Sequence, residues 1–266
     1  WDRWQKAQSK PSKLAKFKCS VLAKPDGGDM QPITDEVLKR VKSEYYFCDY
    51  WRDTITGIGI DMGDRAHVAV VAPLDWEGIR CLYFEELDVE DLVERVKVLE
   101  KAFNAGALVI DAMPYKTASK QVVRSLERAA GYIQYFKGTD VKEKEEGEGG
   151  RAVKVVTVDR DESLDETTDL FAASPPLALL PRPRTVDEEK LLETVEKHLK
   201  RLVKEKDKDS EDAAIHYKRN VPNHFGMAIN SARIALWLAT GKGVKTGPVE
   251  YTTVVKRKAR FGKGAY

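Results

Sequence analysis

The chain has 266 residues, of which 42% are apolar and 33% charged, with a formal net charge of +2. That length suits one large domain, or one domain with an attached arm, and the apolar content excludes wholesale disorder. A charge so near zero does not by itself announce a polyanionic partner, and Cys19, Cys48 and Cys81 lack the CxxC spacing of a zinc ribbon or the number needed for a disulfide scaffold.

Residues 1–54 read as an arm or linker. The first stretch carries Arg3, Lys6, Lys10, Lys13, Lys16, Lys18 and Lys24 against the single acid Asp2. Within this region Asp35–Val41 reads as a short amphipathic helix, with Thr34 as N-cap and Val37, Leu38 and Val41 on its apolar side. Regular structure is expected from residue 55. Ile55–Asp61 alternates apolar with small residues and ends on an acid, Ala66–Ala72 is a dense β-branched run, and Ile79–Phe84 is a third strand. Their short, turn-like connections predict an antiparallel meander.

The period then changes. Leu92, Val93, Val96, Leu99 and Phe103 follow helical spacing, Ala107–Asp111 is an apolar strand that again ends on an acid, Thr117–Ala130 is a second helix and Tyr132–Phe136 a further strand. Strand, helix, strand, helix, strand predicts parallel pairing through right-handed crossovers. The Lys/Glu/Gly run from Val141 to Gly150 reads as a mobile surface loop. Ala152–Val158 and Leu177–Leu180 are expected as extra strands, Asp187–Lys206 as a charged amphipathic helix, and Pro222 opens a closing helix. Residues 241–266 form a tail in which Lys242, Lys245, Lys256, Arg257, Lys258, Arg260 and Lys263 face Glu250 alone. Basic ends around a neutral body suit contact with a polyanion, although frayed, solvated termini fit the same composition equally well. No run approaches the roughly 18 apolar residues that cross a bilayer, so no membrane partner is expected.

Two acids occupy like positions, Asp61 and Asp111, each closing an apolar strand. In a mixed sheet those strands become neighbours, and two carboxylates side by side repel unless a hard cation lies between them. Gly57, Gly59 and Gly63 around Asp61 allow close approach of backbone or ligand.

Gly-Ile-Asp-Met-Gly at 59–63 and Leu-Val-Ile-Asp at 108–111 resemble the first two motifs of RNase H-like nucleases. Gly-Asp-Met-Gln-Pro-Ile-Thr at 28–34 resembles the link into the nuclease domain of tailed-phage large terminases, and Pro-Asn-His-Phe at 222–225, with Ala228, Asn230 and Ala232, resembles their closing helix. The resemblance implies an α/β fold with a mixed five-stranded sheet in the order 3-2-1-4-5, strand 2 antiparallel, flanked by helices. It also implies a nuclease domain at 55–240, and an upstream ATPase domain of the same polypeptide beyond an arm at 1–54. The implied activity is metal-dependent cutting of concatemeric double-stranded DNA in a viral packaging motor, in the host cytoplasm, with portal protein and small terminase subunit as partners. The implied cofactors are two divalent cations, Mg²⁺ or Mn²⁺, held by Asp61, Asp111 and a third ligand. Where the family carries its third acid, this chain has Asn223 and Met227. Asp212 is then the nearest upstream carboxylate and is assigned as third ligand, with Asp209, Asn223 and His224 as alternatives. Two other readings compete: a non-catalytic terminase domain that grips DNA or docks on the portal, and an actin- or sugar-kinase-like ATPase, which shares the Gly-Ile-Asp-x-Gly opening. The second phosphate loop that an ATPase of that kind requires is not found, and neither is a GxxxxGK[ST] pattern.

Overall fold

The structure, a computed structural model, describes residues 31–74, 78–136, 142–146, 152–206 and 215–241. The central strands are β2 (Thr56–Met62), β3 (Ala66–Leu74), β4 (Gly78–Leu87), β5 (Ala105–Asp111) and β6 (Ala130–Phe136). They stand in the order β4-β3-β2-β5-β6, with β2–β3 and β3–β4 antiparallel and β2–β5 and β5–β6 parallel. This is the RNase H-like 3-2-1-4-5 arrangement expected from the sequence. Four more strands extend the sheet to nine. Beside β4 lie β9 (Ala178–Arg182) and then β1 (Lys42–Tyr46); beside β6 lie β8 (Val153–Val158) and then β7 (Lys142–Glu146).

Helices α2 (Leu92–Ala102) and α3 (Lys116–Ser125) cover one face. Leu92, Val96, Leu99 and Val122 pack there on Ile58, Ile60, Val68, Val70, Leu108 and Ile110. The opposite face carries α1 (Asp35–Val41), α4 (Arg160–Ala172), α5 (Val186–Lys200) and α6 (His224–Thr240). Strand alternation sends Ile58 and Ile60 toward α2 and α3, so Gly57, Gly59 and Asp61 face α6. The two glycines are there because α6 lies directly on β2. A Cβ on Gly59 would overlap Ala228 O and Ala232 N and sit 2.7 Å from Ala232 Cα, and one on Gly57 would sit 2.9 Å from Leu236 Cα. Their use is close backbone approach by a helix, not by a ligand. Sandwiched in this way, α6 is buried from Phe225 to Leu236 and ends on left-handed Gly241, φ +65°.

Several expectations change. The segment 31–54, read as an arm, enters the core: Ile33, Val37, Leu38, Val41 and Phe47 are buried, and β1 pairs parallel with β9. The Thr34 cap is as expected, accepting from Val37 N–H at 3.4 Å. Lys142–Glu146, read as loop, pairs antiparallel with β8. The helix expected over 187–206 ends at Lys200, and Lys204–Lys206 forms a short antiparallel ladder with Ile215–Tyr217 (β10 and β11). Helix α4 has no counterpart in the sequence reading. Its buried side includes Ser163, Asp165, Thr167, Thr168 and Asp169, so it shows no apolar stripe. Leu164, Leu170 and Phe171 join the core, and polar bonds tie the helix to α6 as well. Arg233, fully buried, donates to Glu166 at 2.8 Å, to Thr167 Oγ1 at 2.9 Å and to Ser163 O at 3.1 Å. Asn230 Oδ1 accepts from Ser163 Oγ at 2.7 Å and Thr167 Oγ1 at 2.8 Å.

Candidate metal centre

Parallel pairing of β2 with β5 runs through Gly59↔Val109 and Ile60↔Ile110. The next residue on each strand is the acid, so Asp61 and Asp111 stand side by side at the carboxyl ends of neighbouring parallel strands. Both line one open cleft of about 450 Å³, together with Met62, Phe136, the Asp159-Arg160-Asp161 turn, Arg219, Val221, Asn223, His224 and Met227. Open α/β sheets place ligand sites at this edge.

Asp61 is 7% exposed, and His224 Nδ1–H donates to its Oδ2 at 2.8 Å. Burial raises the proton affinity of Asp61, and the His224 bond opposes that rise. The same bond raises the His224 pKa against the effect of burial. Asp111 is pushed up to about 7, first by burial and then by the charge of Asp61; the Met113 N–H bond to its Oδ1, 3.2 Å long, acts in the opposite direction. Ser119 Oγ donates to the Asp111 carbonyl at 2.7 Å, which ties the strand end to α3.

Behind His224 stands an imidazole cluster. His67, paired across the ladder with Asp61, stacks on His224 with centroids 4.6 Å apart and planes at 18°. His198 meets His224 edge-on at 5.6 Å and accepts from Phe225 N–H at 3.3 Å. Burial, then repulsion from His224, holds His67 down to about 3 and His198 down to about 4, so both are neutral near pH 7.

Ligand atoms of Asp61, His67 and His224 lie within 4.8 Å of one another. A ring nitrogen offers its lone pair in the imidazole plane, so two near-parallel stacked rings do not aim at one ion. The donor set that fits a cation here is therefore the two carboxylates with one imidazole, an oxygen-rich set suited to a hard divalent ion. With its Nδ1 held by Asp61, His224 would join such a set through Nε2 once that nitrogen is unprotonated.

The structure brings Asp61, Asp111, Asn223 and His224 together. Asp212 and Asp209 lie outside the described residues. Asn223 is at the N-cap position of α6 but makes no capping bond, and among the described residues its buried Nδ2 finds no partner. The sequence reading missed His67, Arg160 and Arg219 at or beside the cleft. The rule that flagged Asp61 and Asp111, an acid closing a buried strand, also points to Asp159 directly after β8 and so to the Asp159-Arg160-Asp161 turn. Nothing local marks His67, whose place follows from register alone.

No protein-family model matches the chain, and no curated protein matches it. Solved structures do. It is similar to the large terminase nuclease of thermophilic phage G20c, at 14% identity and TM-score 0.48 over 76% of this chain and 97% of that one. The large terminase nuclease of thermophilic phage G20c with bound cobalt matches at 13% identity and TM-score 0.46, over 76% of this chain and 96% of that one. The large terminase of another thermophilic bacteriophage matches at 9% identity and TM-score 0.41, over 73% of this chain and 43% of that one. The fold itself rests on the strand order. Among the described residues, no helix is long and apolar enough to cross a membrane.

Proposed function

We propose that this chain is a metal-dependent endonuclease domain that hydrolyses phosphodiester bonds of concatemeric double-stranded DNA in a viral packaging motor. The observation that supports the chemistry is the pair Asp61 and Asp111 at adjacent strand ends in an open cleft. Their mutual repulsion and the raised proton affinity of Asp111 are what a bound Mg²⁺ or Mn²⁺ relieves. Two such ions, when bound, supply an acidified water and stabilise the leaving oxygen.

The chain's own residues hold and orient. Asp61 and Asp111 present their oxygens from strand ends buried in a rigid sheet. His224 fixes the Asp61 carboxylate through the 2.8 Å bond, and the neutral His67 ring stacked on it limits its rotation. No nucleophilic Ser or Cys is required; Cys81 is buried in the core and its thiol is pushed up by burial. The packaging setting, with portal protein, small terminase subunit, an upstream ATPase domain and the host cytoplasm, rests on the resemblance carried by residues 28–34, 59–63, 108–111 and 222–232.

A second reading is a domain that grips DNA or docks on the portal without cutting. Asn223, an amide where the resembling family carries an acid, favours it. Nicking of supercoiled plasmid separates the two. The expected result is nicking that requires Mg²⁺ or Mn²⁺, stops with chelator and is lost in Asp61→Asn. Nicking by Asp61→Asn at the parent rate refutes the proposal, and a parent that binds DNA without ever nicking it selects the second reading.

A further inference from the structure

The cleft carries charges of both signs: Arg160 and Arg219 line it together with Asp61, Asp111, Asp159 and Asp161, and the charge of Arg160 reaches both Asp61 and Asp111. Arg160 is the first residue of α4 and is largely buried, its side chain 16% exposed. Its guanidinium is fixed by backbone: Nη1 donates to Tyr217 O at 2.9 Å and Nη2 to Lys218 O at 3.2 Å. Those carbonyls belong to the two residues immediately before Arg219, so the bonds that hold Arg160 also hold the backbone that presents Arg219. Arg219 is exposed, and among the described residues no carboxylate pairs with it. Of the acids beside Arg160, Asp159 accepts from Glu162 N–H at 2.8 Å, and Asp161 accepts from Tyr217 N–H at 2.8 Å while standing 3.9 Å from Arg160 Nη1.

Two guanidinium groups lining one cleft repel, as two carboxylates do, and the arrangement is stabilised when an anion lies near both. Burial lowers the proton affinity of Arg160 and the like charge of Arg219 adds to that, while Asp161 and Asp61 act in the opposite direction. A planar guanidinium suits phosphate oxygens, which it meets with paired N–H donors.

We infer that Arg160 and Arg219 form a phosphate seat in the cleft of the acid pair, Arg160 as the fixed member and Arg219 as the solvent-facing one, and that its occupant is a phosphodiester of the DNA backbone. This inference rests on the nucleic-acid substrate proposed above and names the residues that receive it. The seat reads charge and not base sequence, because phosphates carry no sequence information.

Arg219 is the residue to change, since it is exposed and its side chain holds nothing else in place, whereas loss of Arg160 would free the 217–218 backbone. The test is binding of a fluorescent 30-base-pair duplex to the full chain in chelator, measured against NaCl concentration. Arg219→Gln is expected to lower the slope of log affinity against log salt by about one, the loss of one phosphate contact. Arg219→Lys is expected to restore it, because the slope counts charge. A parent-like slope in Arg219→Gln overturns the inference, as does a reduced slope that Arg219→Lys fails to restore. The measurement uses no metal and no cleavage. A parent chain that never nicks therefore refutes the nuclease reading while the phosphate seat still stands or falls by the slope.

Discussion

Replacing Asp111 by Asn in metal-free protein removes a charge while keeping the Oδ1 acceptor that Met113 N–H uses at 3.2 Å. Burial and the neighbouring Asp61 raise the folded-state pKa of Asp111 from 3.8 to about 7. A carboxyl that holds its proton more tightly folded than unfolded makes the folded state bind more protons, so its contribution to stability falls as pH rises from about 4 to about 7. A shift of about three units at about 1.4 kcal/mol each sets a ceiling of about 4 kcal/mol by pH 8. His224, whose folded pKa is raised, adds a loss of the same sign as pH rises through its folded value. Parent and variant share that loss, so it cancels between them to first order. Urea unfolding in chelator is therefore expected to show the two nearly equal at pH 4 and Asp111→Asn more stable by about 2–4 kcal/mol at pH 8. Added Mn²⁺ should stabilise the parent and do little for the variant. A stability gap that stays constant from pH 4 to pH 8 would refute the reasoning, because it would mean that Asp111 is not a half-buried carboxylate facing a second one.

Gly59→Ala is expected to cost about 3 kcal/mol or more, since the clash is with helix backbone and not with a movable side chain; a variant with the parent's urea midpoint would show that α6 does not lie on β2 as described. Asn223→Asp is expected to raise Mn²⁺ affinity, read by calorimetry, and to lower metal-free stability at pH 8 by adding a third carboxylate to the cleft; unchanged affinity would place residue 223 away from the ions. Arg233→Met leaves Glu166 buried without its partner and is expected to cost about 3–5 kcal/mol, checked by urea unfolding, with a loss under about 1 kcal/mol counting against the α4–α6 polar link.

The five central strands, their order and the two strand-end acids were all legible in the sequence. Period-two alternation and short turns specify the meander, period 3.6 specifies α2 and α3, and the strand order followed from the resemblance to RNase H-like nucleases. What failed to show was structure built from polar or charged residues. Helix α4 buries Ser163 and Thr167 against α6 and so hides its inner face, β7 is made of Lys and Glu, and α1 and β1 sit in a stretch too polar on average to read as core.

The local sequence determined that Asp61 and Asp111 each end a buried strand, because the apolar pattern stops there and the acid begins. Only the tertiary structure decided what stands around them. His67 reaches the site through the β2–β3 register, His224 and Asn223 through the seating of α6 on Gly57 and Gly59, and Arg160 and Arg219 through bonds between the start of α4 and the Tyr217–Lys218 backbone. These residues lie up to 163 positions from Asp61 along the chain. Their meeting depends on helix and strand packing, which no short stretch of sequence contains.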